Sequence, residues 1–82
     1  MHELSIATEV LEAVRREAAK RPGARVQKVG LRVGELSGVS EDSLRFSFEV
    51  LVQGTDLDPL ALEIERSTGD ELDVAWLEVE DA

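Results

Sequence analysis

The sequence predicts an α+β fold, a three-stranded mixed sheet with two helices packed on one face, in the order helix-strand-helix-strand-strand. Three observations carry this: two segments place apolar residues at helical spacing, three others alternate apolar and polar residues, and glycine or proline punctuates the joins. At 82 residues the chain is near the small end of what buries one core, so residues 1–82 are read as a single domain.

The first helix is predicted from Leu4 or Ser5 to about Arg21, with Leu4, Ala7, Leu11, Val14 and Ala18 forming the buried stripe and Val10 widening it. Glu12 to Arg16 and Glu17 to Arg21 are favourably oriented i,i+4 pairs, and Pro22-Gly23 stops the helix. From Val26 to Leu36 the period becomes two, with Val29, Leu31 and Val33 on one face and Lys28, Gly30 and Arg32 on the other. Gly34 and Gly38 bracket a turn-rich exit, and Ser40 then stands where a cap is expected, followed by Glu41 and Asp42 at the positive helix end. The second helix is predicted over Glu41 to Val52, burying Leu44, Phe48 and Leu51.

Leu60, Leu62 and Ile64 alternate with Ala61, Glu63 and Glu65 as the second strand. The third runs from Leu72 to Glu80, and its apolar phase changes between Val74 and Leu77, which predicts a bulge near Ala75-Trp76 and turns Trp76 toward solvent. Ser67 to Asp70 is read as a tight turn between these strands. The core is expected to be aliphatic, because Phe46, Phe48 and Trp76 are the only large rings. The sheet has edges that offer a homodimer a place to pair.

Composition excludes several classes. The formal net charge of -9 opposes a phosphate backbone, so nucleic acid is not an expected partner. No apolar run approaches the ~20 residues of a membrane span, and no secretory signal pattern opens the chain, so a cytoplasmic location is expected. Cysteine is absent, which removes disulfides, thiolate zinc sites and cysteine nucleophiles together. Glu63 and Glu65 could do acid–base work, but alternate strand carboxylates facing water are read as solvation, and no catalytic residues are assigned.

The one histidine, His2, carries the remaining chemistry. The Met1 amine, the following amide nitrogen and the His2 imidazole lie within a few bonds and can close adjacent chelate rings. A nitrogen-rich planar set suits Ni(II) or Cu(II) rather than Zn(II) or Mg(II). Glu3 can add a fourth donor through its amide nitrogen or its carboxylate, and because bound protons must leave, binding is expected to strengthen as pH rises.

Met1-His2-Glu3-Leu4-Ser5-Ile6 resembles the opening of the HypA/HybF family of hydrogenase/urease nickel-incorporation metallochaperones. The likeness continues through Leu31-Arg32-Val33-Gly34-Glu35-Leu36-Ser37-Gly38-Val39, through Leu44 to Leu51, and into Gly69-Asp70-Glu71-Leu72 and Leu77-Glu78-Val79-Glu80. It implies a non-enzymatic carrier that delivers Ni(II) for nickel–iron hydrogenase maturation, with Met1, His2 and Glu3 as metal ligands. A maturation GTPase of the HypB type is the implied partner, with the hydrogenase large subunit as a further one. The family's zinc domain, with two Cys-x-x-Cys pairs, is expected between the second and third strands, where Arg66 to Asp70 runs straight through instead. No zinc is therefore expected. The alternative is a metal-free interaction domain left after natural or engineered loss of that zinc domain.

Overall fold

The computed structural model describes residues 2–81. Helix α1 spans Glu3–Ala19, strand β1 Arg25–Gly34, helix α2 Glu41–Val52, strand β2 Ala61–Ser67 and strand β3 Leu72–Glu80, with a 3₁₀ turn at Glu35–Ser37. The sheet order is β2-β1-β3, with β2 parallel and β3 antiparallel to β1. Parallel β1 and β2 require a crossover, and α2 supplies it. The α+β order and the mixed sheet are those expected.

One face of the sheet meets both helices. Val29, Leu31 and Val33 of β1 pack with Ala7, Val10, Leu11 and Val14 of α1 and with Leu44, Phe48 and Val52 of α2 in one buried cluster. No charged or polar residue is buried among the described residues. Removing that apolar surface from water stabilises the fold by roughly 25 cal/mol per Å². Among the described residues no helix is long and apolar enough to cross a membrane.

The opposite face carries Lys28, Gly30 and Arg32 beside Glu63 and Glu65 on β2 and Asp73, Trp76 and Glu78 on β3. Trp76 lies over Gly30, where an added Cβ would fall inside the indole, and its Nε1 donates to Glu65. Opposite this, Lys28 pairs with Glu63 at 3.8 Å and Arg32 with Asp73 at 3.9 Å. The bulge is where the phase change placed it: Gly30 faces Trp76 while Leu31 faces Val74, leaving Ala75 unpaired.

Several expectations are corrected. Leu4 is 56% exposed, because it sits on the first turn of α1, ahead of Ala7 where the core begins. On α2 it is Val52 that is fully buried and Leu51 only partly, and Phe46, 69% exposed, points away from the sheet on the side opposite Leu44 and Phe48. Trp76 is half-buried against Gly30 rather than free in solvent. Glu17 pairs with Lys20, and Arg21, beyond the end of α1, reaches Asp81 instead. β1 ends at Gly34, since Glu35-Leu36-Ser37 winds into the 3₁₀ turn, closed by Gly38 at φ 77.

The Ser67–Asp70 segment is a crossing rather than a hairpin turn, because β2 and β3 lie on opposite sides of β1. It passes over the end of β1, where Gly34 N–H donates to the Glu71 carbonyl at 2.7 Å and Leu36 N–H to the Gly69 carbonyl at 2.9 Å. A Cβ on Gly34 would stand 2.1 Å from the Gly69 carbonyl oxygen, so the crossing backbone needs a glycine beneath it.

Candidate metal centre

The site is built at the start of α1. His2 occupies the cap position at φ -95 and ψ 71, and its carbonyl accepts the first helical hydrogen bond, from Ile6 N–H at 3.0 Å. A helix start leaves its leading N–H groups without carbonyl partners, so the Glu3 amide has no helical bond to surrender to a metal. The positive end of the helix dipole also favours an amide nitrogen that has become anionic. The His2 side chain is exposed and makes no capping bond, so its imidazole is free to turn. Met1, expected to ligate through its amine, lies outside the described residues.

The Glu3 carboxylate has another task. Its Oε2 accepts the Ser40 N–H at 3.1 Å, and Ser40 Oγ in turn accepts the Ser43 N–H at 3.3 Å at the start of α2. A capping box normally completes this pattern with a Glu or Gln three residues after the cap. Here that position is Ser43, and Glu3 supplies the missing acceptor from the other helix. The Ser40 N–H, with a smaller contribution from its own N–H, holds the Glu3 carboxyl below its ordinary range. Sequence reasoning found Ser40 as a cap but missed its tie to Glu3. The signal was the absent Glu or Gln at position 43.

Glu3→Ala is accordingly expected to fray the start of α2, and to leave most nickel affinity in place if the Glu3 amide nitrogen rather than its carboxylate is the donor. Circular dichroism and a nickel titration on the same variant check the two halves. Because the folded carboxyl is depressed, its tie to Ser40 is present above the ordinary carboxylate range and is lost as pH falls through the lowered value. The Ser40 amide resonance should follow that titration, and should not move with it in Glu3→Ala.

Among the described residues, no three histidine, aspartate or glutamate side chains converge as a metal cage. Glu63 and Glu65 are engaged with Lys28 and Trp76. What the fold presents is thus a small α+β body with an exposed imidazole beside the Glu3 amide at one helix start, and no buried metal cage among the described residues.

Comparison with known proteins gives the class of this domain, a nickel-incorporation metallochaperone. The family model described as "Hydrogenase/urease nickel incorporation, metallochaperone, hypA" matches residues 1–78. The chain is 52% identical over 66 residues to the hydrogenase maturation factor HypA of Roseiflexus sp. (strain RS-1), covering 80% of this chain and 54% of that protein. It is 46% identical over 69 residues to HypA of Methanopyrus kandleri, covering 84% and 49%, and 38% identical over 66 residues to HypA of Lawsonia intracellularis, covering 80% and 56%. This chain belongs to the HypA family of nickel-incorporation metallochaperones. It spans about half the length of the curated relatives it matches.

Proposed function

We propose that this chain is a nickel carrier that takes up Ni(II) as cargo at Met1, His2 and Glu3 and passes it on for hydrogenase maturation, without itself catalysing a reaction. The observation that carries the reading is the start of α1, where the chain's one imidazole adjoins a backbone amide that no carbonyl among the described residues engages. In this reading the ligands of Glu3 and His2 include their amide nitrogens, because the Glu3 carboxylate is committed to Ser40. A planar set of nitrogens around Ni(II) follows from that donor list.

The domain organisation is part of the proposal: residues 1–82 form one nickel-binding domain, with the family's zinc domain missing where Ser67–Asp70 crosses β1. The short, cysteine-free run from Ser67 to Asp70 between β2 and β3 supports this reading. A maturation GTPase of the HypB type and the hydrogenase large subunit are the proposed recipients, in the cytoplasm.

The test compares protein beginning at a free Met1 with protein acetylated there, since acetylation removes one donor and leaves the fold. Calorimetric titration with Ni(II) is expected to give one tight site in the first and a loss of roughly 100-fold or more in affinity in the second, more than the loss of an outer-shell partner causes. Equal, weak binding by both forms would favour the metal-free interaction domain instead.

A further inference from the structure

The two edges of the sheet differ. On β2, Arg45 Nη1 donates to the Leu62 carbonyl at 3.1 Å, placing a guanidinium against that strand. Along β3, no side chain among the described residues makes a comparable bond to the backbone, and no strand lies on its outer side. Exposed strand edges of this kind accept added strands.

Beside β3 runs a groove of about 190 Å³, with an apolar floor formed by Ile6 and Val10 of α1 and Leu72 and Val74 of β3. That is below the ~300–1,000 Å³ typical of small-molecule sites, and suits one inserted side chain. The titratable side chains lining it, Glu9 and Asp73, are both carboxylates. The segment itself is acidic: Asp70, Glu71, Asp73, Glu78, Glu80 and Asp81 lie in it, and no Lys or Arg occurs from Ser67 to Ala82. Arg32 pairs with Asp73 and Arg21 with Asp81, and Arg25 and Lys28 of β1 stand across from Glu80 and Glu78, so among the described residues the carboxylates of this segment and the groove with no ion pair and no cation directly across the sheet are Glu9, Asp70 and Glu71 at the groove end of β3.

We propose that the free edge of β3 receives an extended, basic segment of a partner protein as a fourth strand, with one apolar side chain seated in the α1–β3 groove. Backbone pairing supplies affinity in such strand addition, while the pocket and the flanking charges supply specificity. A second copy of this chain is the poorer occupant, because pairing two β3 edges would bring Asp73, Glu78 and Glu80 of one copy against the same carboxylates of the other. Pairing β3 with β2 of another copy meets Glu63, Glu65 and the Arg45 guanidinium. The groove is lined by α1 within three turns of His2, so a bound strand would lie beside the start of the same helix that carries the metal site.

The inference rests on the fold and not on the nickel reading, and it is tested on nickel-free protein so that the two fail separately. The probe is a synthetic eight-residue peptide of alternating lysine and valine, with alternating lysine and serine as the control of equal charge. In ¹⁵N-resolved spectra the lysine–valine peptide is expected to shift and protect amides of Leu72 to Ala75 and to shift Ile6 and Val10. The lysine–serine peptide should bind roughly tenfold or more weakly, as loss of one buried valine implies. Glu9→Lys, on an exposed position with no partner among the described residues, should weaken binding several-fold at low salt and leave the free spectrum otherwise intact. Shifts confined to other surfaces, equal affinity for both peptides, or an unchanged affinity in Glu9→Lys would overturn the proposal. So would sedimentation showing a dimer whose contact protects β3.

Discussion

His2→Ala is expected to abolish tight nickel binding and to leave the fold unchanged. The imidazole is the only one in the sequence, so nothing can replace it. Losing an outer-shell partner typically costs a metal site ~10–100-fold, and loss of a direct donor with its chelate ring should exceed that. Stability should move by no more than about 0.5 kcal/mol, the range for surface changes, because the side chain is exposed and caps nothing. Calorimetric nickel titration and thermal melting on one preparation separate the effects. Wild-type affinity in the variant would remove His2 from the donor set.

Gly34→Ala is expected to show the converse, a large loss of stability from a residue that touches no metal. Gly34 has ordinary extended backbone angles, φ -78 and ψ 148, so alanine brings no conformational strain of its own. The penalty comes from the crossing segment, because the new Cβ would stand 2.1 Å from the Gly69 carbonyl oxygen and 2.8 Å from the Glu71 nitrogen. Those are backbone atoms, held by the Gly34-to-Glu71 and Leu36-to-Gly69 hydrogen bonds, and they cannot turn aside as a side chain would. Overpacking costs about 1–3 kcal/mol, and two weakened hydrogen bonds add roughly 0.5–1.5 kcal/mol each. A total of about 3 kcal/mol lowers the melting temperature of a domain this size by roughly 12–24 °C. A melting temperature within a few degrees of wild type would show that the β2–β3 crossing does not press on β1.

The contrast between these two sites shows what periodicity conveys. Val29-Leu31-Val33, the Ala7-to-Val14 stripe and the phase change around Ala75 all report which face of an element is buried, and the elements follow from them. Strand order does not show in such patterns. Ser67 to Asp70 has turn composition whether it joins neighbouring strands or spans a third, and only Gly34, as a glycine at the end of an apolar strand, hinted at a backbone passing close by. Phe46 and Leu4 fit helical spacing by residue type, yet they fall outside the contact made by two helices on three strands. The proposed metal donors adjoin in sequence and can be named from it, whereas the Glu3–Ser40 tie joins residues 37 positions apart and exists only once α1 and α2 begin side by side.

The central claim is that nickel replaces protons on backbone nitrogens at the start of α1. A ¹⁵N–¹H correlation spectrum recorded as Ni(II) is added to protein beginning at a free Met1 tests it most directly. Planar, nitrogen-rich Ni(II) is diamagnetic. At one equivalent, the amide cross-peaks of His2 and Glu3 are expected to vanish because their protons have left, while Leu4 to Ala7 shift without broadening and the core resonances stay in place. Persistence of the His2 and Glu3 amide protons, or paramagnetic broadening centred on any other part of the molecule, would contradict it.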